Sequence, residues 1–296
     1  ILDTNVWGNA TTNDYIQDGK KALNVLVQQP EVDSKRISII GHSEGTLYAP
    51  RVAIDNSTNV KNIILMAVLA QNPTKAVEYY QDVSLPLEYA SQVLDRNHTG
   101  MISIQQIADD HLLRNFLVPS SVVVTNNTEA ITTTLAKNFG TSGHISIEKQ
   151  LKPLLVKGYE NITSFKSLKC THPGVCPVLW RSMSNLITNL GIIGNVSKST
   201  GILILNGEND TQTPVQQAFL LQQRLTDVNH PDHTLITYPN LGHAFYPSSQ
   251  WASVFGPIQQ YVLADIYSWL ESHNGFTPLT TSSSTSSLPN TTKINK

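Results

Sequence analysis

The stretch that most constrains this chain is Arg36 to Gly45, RISIIGHSEG. Ile37, Ile39 and Ile40 are β-branched and show no helical spacing, so they suit a strand buried in a parallel sheet. A G-x-S-x-G turn follows at once, and a helix-forming run, EGTLYAPRVAID, follows the turn. A strand that turns this sharply into a helix holds its central residue, Ser43, in a strained backbone conformation at the top of the sheet and at the positive end of the helix. Gly41 and Gly45 are expected to leave room for the close backbone approach that such a turn needs.

The segments around that stretch alternate as in a parallel α/β sheet. The opening, ILDTNVWGNATTND, has turn residues and little periodicity and reads as a loop. Thr12 or Asn13 can cap a helix from about Asp14 to Gln29, which Pro30 stops. Pro50 is expected to kink the helix after Ser43 or to loosen one of its turns. VKNIILMAVLA, from Val60, reads as the next buried strand, so residues 1–70 form the first part of a sheet domain.

From residue 71 to 200 helical segments predominate, with no strong strand pair between them. That is too much chain for one crossover and is expected to be an inserted helical cap. Residues 201–275 return to the sheet pattern with the strand GILILNGEND, a helix from Pro214 to about Val228, the strand HTLITYPN, the loop LGHAF and a last helix. In that helix Ile258, Val262, Ile266, Trp269 and Leu270 make a packing stripe. Residues 276–296 are rich in Ser and Thr, cannot offset their ordering entropy by burial, and are expected to be disordered. No internal repeat is apparent. The expected fold class is α/β, a mostly parallel sheet with flanking helices and an inserted helical cap.

Charge is near balance at −2, which argues against a nucleic acid partner. No apolar run approaches the roughly 20 residues that span a bilayer, so no transmembrane segment is read in the chain. Cys170 and Cys176 can close a small disulfide loop in KCTHPGVCP, or stand as two unlinked thiols. N-x-S/T sequons at Asn9, Asn56, Asn97, Asn126, Asn161, Asn195, Asn209 and Asn290, with the Ser/Thr tail, tilt the reading towards an exported protein.

A serine hydroxyl is a weak nucleophile at neutral pH and needs a base, which in turn needs a carboxylate to fix its tautomer. Asp210 ends the strand ILILNGEND, where a turn aims its side chain across the top of the sheet, and His243 follows the next strand beside Gly242. Each has a rival. Asp210 also fits a simple turn or cap ahead of TPVQQAF, Glu208 is a competing acid two residues earlier, and His243 also fits an ordinary loop histidine. His230 and His233 precede the strand and belong to the opposite end of the sheet.

GHSEGTLYAP, followed by RVAIDNSTNVKNIILMAVLA, resembles the α/β-hydrolase superfamily, in the branch of dienelactone-hydrolase-like, serine-aminopeptidase-like and prolyl-oligopeptidase-like enzymes. The resemblance covers about residues 10 to 70 and 200 to 272 and departs at Thr46, where a second glycine is usual. It implies Ser43, Asp210 and His243 as a catalytic triad, in that order along the chain, and the backbone N–H of Glu44 as an oxyanion donor. The second donor is expected from a loop after an early strand. The residues before Ser43 hold one helix and a loop, too few for such strands, so the chain is expected to be an amino-terminally truncated fragment, inactive or poorly folded alone.

One further pattern lies in the expected cap. DRNHTGMISIQQ follows an EF-hand calcium loop, with Asp95, Asn97 and Thr99 at its first, third and fifth places, Gly100 at the sixth, the Met101 carbonyl at the seventh, and Ile102 and Ser103 after it. The twelfth place, normally a bidentate glutamate, is Gln106, so Ca2+ binding there is expected to be weak or lost to a loop kept as a turn. The chemistry expected overall is a serine hydrolase that cleaves a small-molecule ester or peptide substrate and requires no cofactor. The alternative is a non-catalytic cell-surface binding protein on a hydrolase scaffold.

Overall fold

Apolar runs in the chain become seven strands among the described residues, which in this computed structural model are 4–125, 127–140, 142–164, 176–274 and 292–295. They are β1 (Ile37–His42), β2 (Val60–Met66), β3 (Met101–Ser103), β4 (His144–Ser146), β5 (Gly201–Gly207), β6 (His233–Tyr238) and β7 (Thr292–Asn295). The chain divides into two compact units, Ile1–Pro73 with Leu168–Lys296, and Thr74–Ser167. The inserted unit therefore ends at Ser167 and not at residue 200. Among the described residues no helix is long and apolar enough to cross a membrane.

The first unit is built on a sheet of order β1-β2-β5-β6-β7, parallel from β1 to β6 and antiparallel between β6 and β7. Strand period sorts the side chains to two faces. Ile63, Leu65, Ile202, Ile204 and Leu235 share one core with α2 (Thr12–Val27) and α3 (Gly45–Asp55). Ile64, Met66, Leu203, Leu205, Ile236 and Tyr238 share the other with Val262, Ile266 and Trp269 of the helix Gln260–Asn274. β7 falls in the segment expected to be disordered, while residues 275–291 and 296 lie outside the described residues. Cys176 is disulfide-bonded, and Cys170 lies outside the described residues.

Helix starts differ from the sequence reading for a local reason. A short helix, α1 (Thr4–Gly8), stands where a loop was expected, being too short to show a period. The N-cap of α2 is Thr11, whose side chain accepts from the Asp14 N–H while the Asp14 carboxylate accepts from the Thr11 N–H at 2.8 Å. α3 runs on through Pro50, which has no N–H to offer the carbonyl of Thr46 four residues back. Asn189, fully buried, donates instead from Nδ2 to Thr46 O at 2.9 Å and to Leu69 O at 2.8 Å. Its Oδ1 accepts from Arg51 at 3.0 Å. These bonds hold the segment around residue 189 to the sheet unit, which is why that unit resumes well before residue 200.

The second unit corrects two expectations, since it contains both a strand pair and an internal repeat. β3 and β4 pair antiparallel with Ile102 opposite Ile145, both fully buried. On either side the bonds repeat. Ile104 N donates to Gly143 O at 2.9 Å and Ile147 N to Gly100 O at 3.0 Å, and both glycines lie at positive φ, +73° for Gly100 and +75° for Gly143. Ser103 and Ser146 each cap the following helical segment. Gln106 and Gln150 accept from the N–H of those serines at 2.8 and 2.9 Å, and their amide nitrogens donate to Leu94 O and Phe139 O at 3.0 and 3.1 Å. The repeat is one of hydrogen-bonding roles at a few positions. Strands of three residues are too short for alternation to reveal.

Two outcomes follow from this packing. Asn189→Ala leaves two buried carbonyls without their donor and is expected to cost about 2 kcal/mol in denaturant unfolding. In the second unit burial, reinforced by Asp82 beside it, pushes the Glu78 carboxyl from 4.5 up to about 7. The folded state then binds the extra proton, so the contribution of Glu78 to stability is full below about 4.5, falls as pH rises, and is lost through about 7. Thermal unfolding across that range is expected to show this fall, and Glu78→Gln to flatten it.

Candidate active site

The geometry of the site starts with Gly41. A Cβ there would lie 2.4 Å from the carbonyl oxygen of Gly45, so only glycine lets the strand end and the helix start come this close. Gly45 differs from expectation, because a Cβ at that position would meet nothing within 4 Å. Between them Ser43 sits at φ +53°, and its N–H donates to Met66 O of β2 at 2.8 Å. Thr46 has a use for its hydroxyl, which donates to Ser43 O at 2.6 Å and accepts from Leu69 N at 3.0 Å. Ala67, just after β2, and Phe245, in the loop of His243, also hold positive φ, +53° and +55°.

Three of the expected residues come together. His243 Nε2 lies 2.9 Å from Ser43 Oγ, and His243 Nδ1 lies 2.9 Å from Asp210 Oδ2. Because Asp210 only accepts, Nδ1 carries the proton and Nε2 is free to accept from the serine hydroxyl. The His243 and Asp210 side chains are 5% and 0% exposed, so the pair is shielded from water. Asp210 is also a turn residue, as its rival reading had it. Its carboxylate accepts from Gln212 N at 2.8 Å, Thr213 N at 2.9 Å and the Thr213 hydroxyl at 2.7 Å, which fix the carboxylate towards His243.

The competing residues are placed elsewhere. Glu208 is exposed and accepts from the Thr237 hydroxyl at 2.8 Å. His230 bonds to Ser197 O at 3.2 Å and His233 to His230 O at 2.8 Å. Gly207 brings the end of β5 against the His243 loop, where a Cβ would lie 2.3 Å from Leu241 O. The Glu44 N–H stands at the N-cap of α3, among the donors that a helix start leaves without an intrahelical acceptor. Its side chain turns along the helix to accept from the Tyr48 hydroxyl. On the other side of the turn β1 has no further strand beside it among the described residues, and Ile40 is 55% exposed beside a groove of about 610 Å³ lined by Tyr15, Leu23, Leu26, Ile39 and Tyr48.

Residues 183–277 match the model of the prolyl oligopeptidase family, a span that contains Asp210 and His243 but not Ser43. With the parallel sheet and the serine turn already described, the fold is that of the α/β-hydrolases. No curated protein matched it. Among solved structures, this chain is similar to dipeptidyl peptidase 4 of Porphyromonas gingivalis at 15% identity and TM-score 0.41, over 87% of this chain and 22% of that one. It is similar to an esterase of Thermogutta terrifontis at 15% identity and TM-score 0.44, over 90% and 74%. A monoacylglycerol lipase of Paleococcus ferrophilus gives 16% identity and TM-score 0.39, over 90% and 77%. The chain thus spans less than a quarter of the dipeptidyl peptidase, and likeness at this level says nothing of substrate.

The calcium-type loop lacks the carboxylate that its ion uses at the twelfth place, where Gln106 stands. Calcium takes six to eight oxygens, including a bidentate carboxylate at the twelfth place. Asp95 Oδ1 accepts from the N–H and hydroxyl of Thr99 at 2.9 and 3.0 Å, and Oδ2 from Gly100 N at 2.6 Å. The Gln106 amide is engaged at both ends, by Ser103 N and Leu94 O. Asn97 and Met101 add only an amide and a carbonyl, and among the described residues no three of His, Cys, Asp and Glu gather as a metal site. Titration calorimetry with millimolar calcium is expected to give no binding heat. Gln106→Ala, which removes the amide, is expected to lower stability by about 1 kcal/mol with or without calcium.

Proposed function

We propose that this protein is a serine hydrolase working by acyl transfer through Ser43, His243 and Asp210. The observation that carries the reading is the continuous line of hydrogen bonds from Ser43 Oγ through the ring of His243 to Asp210. Ser43 Oγ attacks the carbonyl carbon and its proton passes to His243 Nε2. Asp210 holds the ring and stabilises the imidazolium. The oxyanion that develops is met by the Glu44 N–H, a contact of a kind worth about 3 kcal/mol. His243 then gives its proton to the leaving oxygen or nitrogen, and the acyl group stays on Ser43. Water, deprotonated by the same nitrogen, cleaves that ester and returns the proton to Ser43.

The substrate carries a carboxylic ester or a peptide bond. No residue singled out here marks a site for a peptide amino terminus, which favours esters, whereas the match to the prolyl oligopeptidase family favours peptides. A panel of p-nitrophenyl esters against proline-containing peptide anilides separates the two. For the chemistry itself, a fluorophosphonate probe is expected to label the full-length protein, and Ser43→Ala to abolish labelling. Asp210→Asn is expected to lower kcat by about 10⁴-fold with the fold intact. A folded protein that takes up no probe would refute the reading.

A further inference from the structure

We propose that His42, the residue before the serine, is a positioning residue that ties the loop of the base to the strand of the nucleophile. The inference rests on the Ser–His–Asp reading above. His42 ends β1, and its Nε2 lies 2.9 Å from the backbone carbonyl oxygen of His243. A carbonyl only accepts, so the proton of this bond sits on Nε2 of His42. The dipeptide His42-Ser43 therefore holds His243 twice, once by its backbone and once by its ring nitrogen.

Packing follows the same direction. The His42 ring lies 4.9 Å from the ring of His243, tilted by 54°, and 6.3 Å from the ring of Phe245. Phe245 is fully buried in a left-handed conformation, so the backbone just after the base is itself held under strain. The other bonds of this loop do different things. Gly242 N to Tyr246 O, Phe245 N to Gly242 O and Ser248 N to Asn240 O, at 3.0, 3.0 and 2.9 Å, set the shape of the loop from within. Asn209 ties it to the end of β5, by its N–H to Leu241 O at 2.9 Å and its Nδ2 to Ser248 O at 2.7 Å. His42 supplies a hold from the β1 side, where the reacting oxygen is.

The charges that bear on His42 are those of His243 and Asp210. Desolvation keeps the His42 imidazolium below the usual histidine range and His243 acts the same way, against the hydrogen bond to His243 O and the pull of Asp210. The neutral ring with a proton on Nε2 is the form that makes the bond. Without that bond the loop keeps its internal shape but gains freedom relative to Ser43. The loss then falls on the alignment of Oγ with Nε2 and hence on the chemical step.

The test compares His42→Ala, His42→Phe and His42→Gln with the unaltered protein, all checked for equal unfolding midpoints. Phe keeps the ring but has no donor, whereas Gln places an amide N–H at the reach of Nε2. Fluorophosphonate labelling rate and kcat are expected to fall about tenfold in the Ala and Phe variants, with KM little changed, and to recover in the Gln variant. A Phe variant as fast as the unaltered protein, or a Gln variant as slow as Ala, overturns the proposal. A readout free of turnover is the low-field proton signal of His243 Nδ1–H bonded to Asp210. It is expected to move in the Ala and Phe variants and to stay in place in Gln, and identical signals in all four also overturn it. Failure of the unaltered protein and Ser43→Ala to differ in labelling refutes the hydrolase reading instead, and the Nδ1–H signal then decides the role of His42 alone.

Discussion

The crossing of backbone at Gly41 is the constraint from which the site is built. There the strand end and the helix start approach so closely that no Cβ fits, and Ser43 is forced to positive φ as a result. That strain is held by bonds that run inward from the turn. Ser43 N is fixed to β2, Ser43 O to the Thr46 hydroxyl, and that hydroxyl to Leu69 N. Asn189 closes the set by taking the Thr46 carbonyl that Pro50 cannot. The serine is thus placed by buried polar groups that each have a partner, the condition under which burial of polarity is tolerated.

Parallel order does the rest of the assembly. Because β1, β2, β5 and β6 run the same way, their carboxyl ends lie along one edge of the sheet, and the residues just beyond them meet there. Ser43 and His243 are 200 positions apart in the chain yet share a hydrogen bond. The insertion of the second unit between β2 and β5 leaves this register untouched, since β2 and β5 pair directly from Asn62–Gly201 to Met66–Leu205.

Legibility in the sequence followed the range of the interaction. Ser43, Asp210 and His243 could be read because each sits at a strand end marked by local punctuation, glycines and a turn. The strands themselves were plain from runs of branched aliphatic residues. Asn189 and His42 could not be read in these roles, because both act on backbone carbonyls far along the chain, and a carbonyl has no residue identity to find. The glycine at position 45 looked sterically required by its pattern, but the space beside it is open. In the second unit the repeat was hidden for another reason. Gln106 and Gln150 do the same work in two loops whose other residues differ, and the likeness of the first loop to a calcium site drew attention to oxygen ligands when its amide hydrogen bonds were the substance of it.

Among the described residues the strand that presents the serine pairs on one side only, with β2, and Ile40 is open beside an apolar groove. An edge of this kind offers a row of backbone donors and acceptors to any extended segment that reaches it, at a spacing of about 4.8 Å. A strand added at this edge, from whatever source, would sit directly beside the strand that carries Ser43.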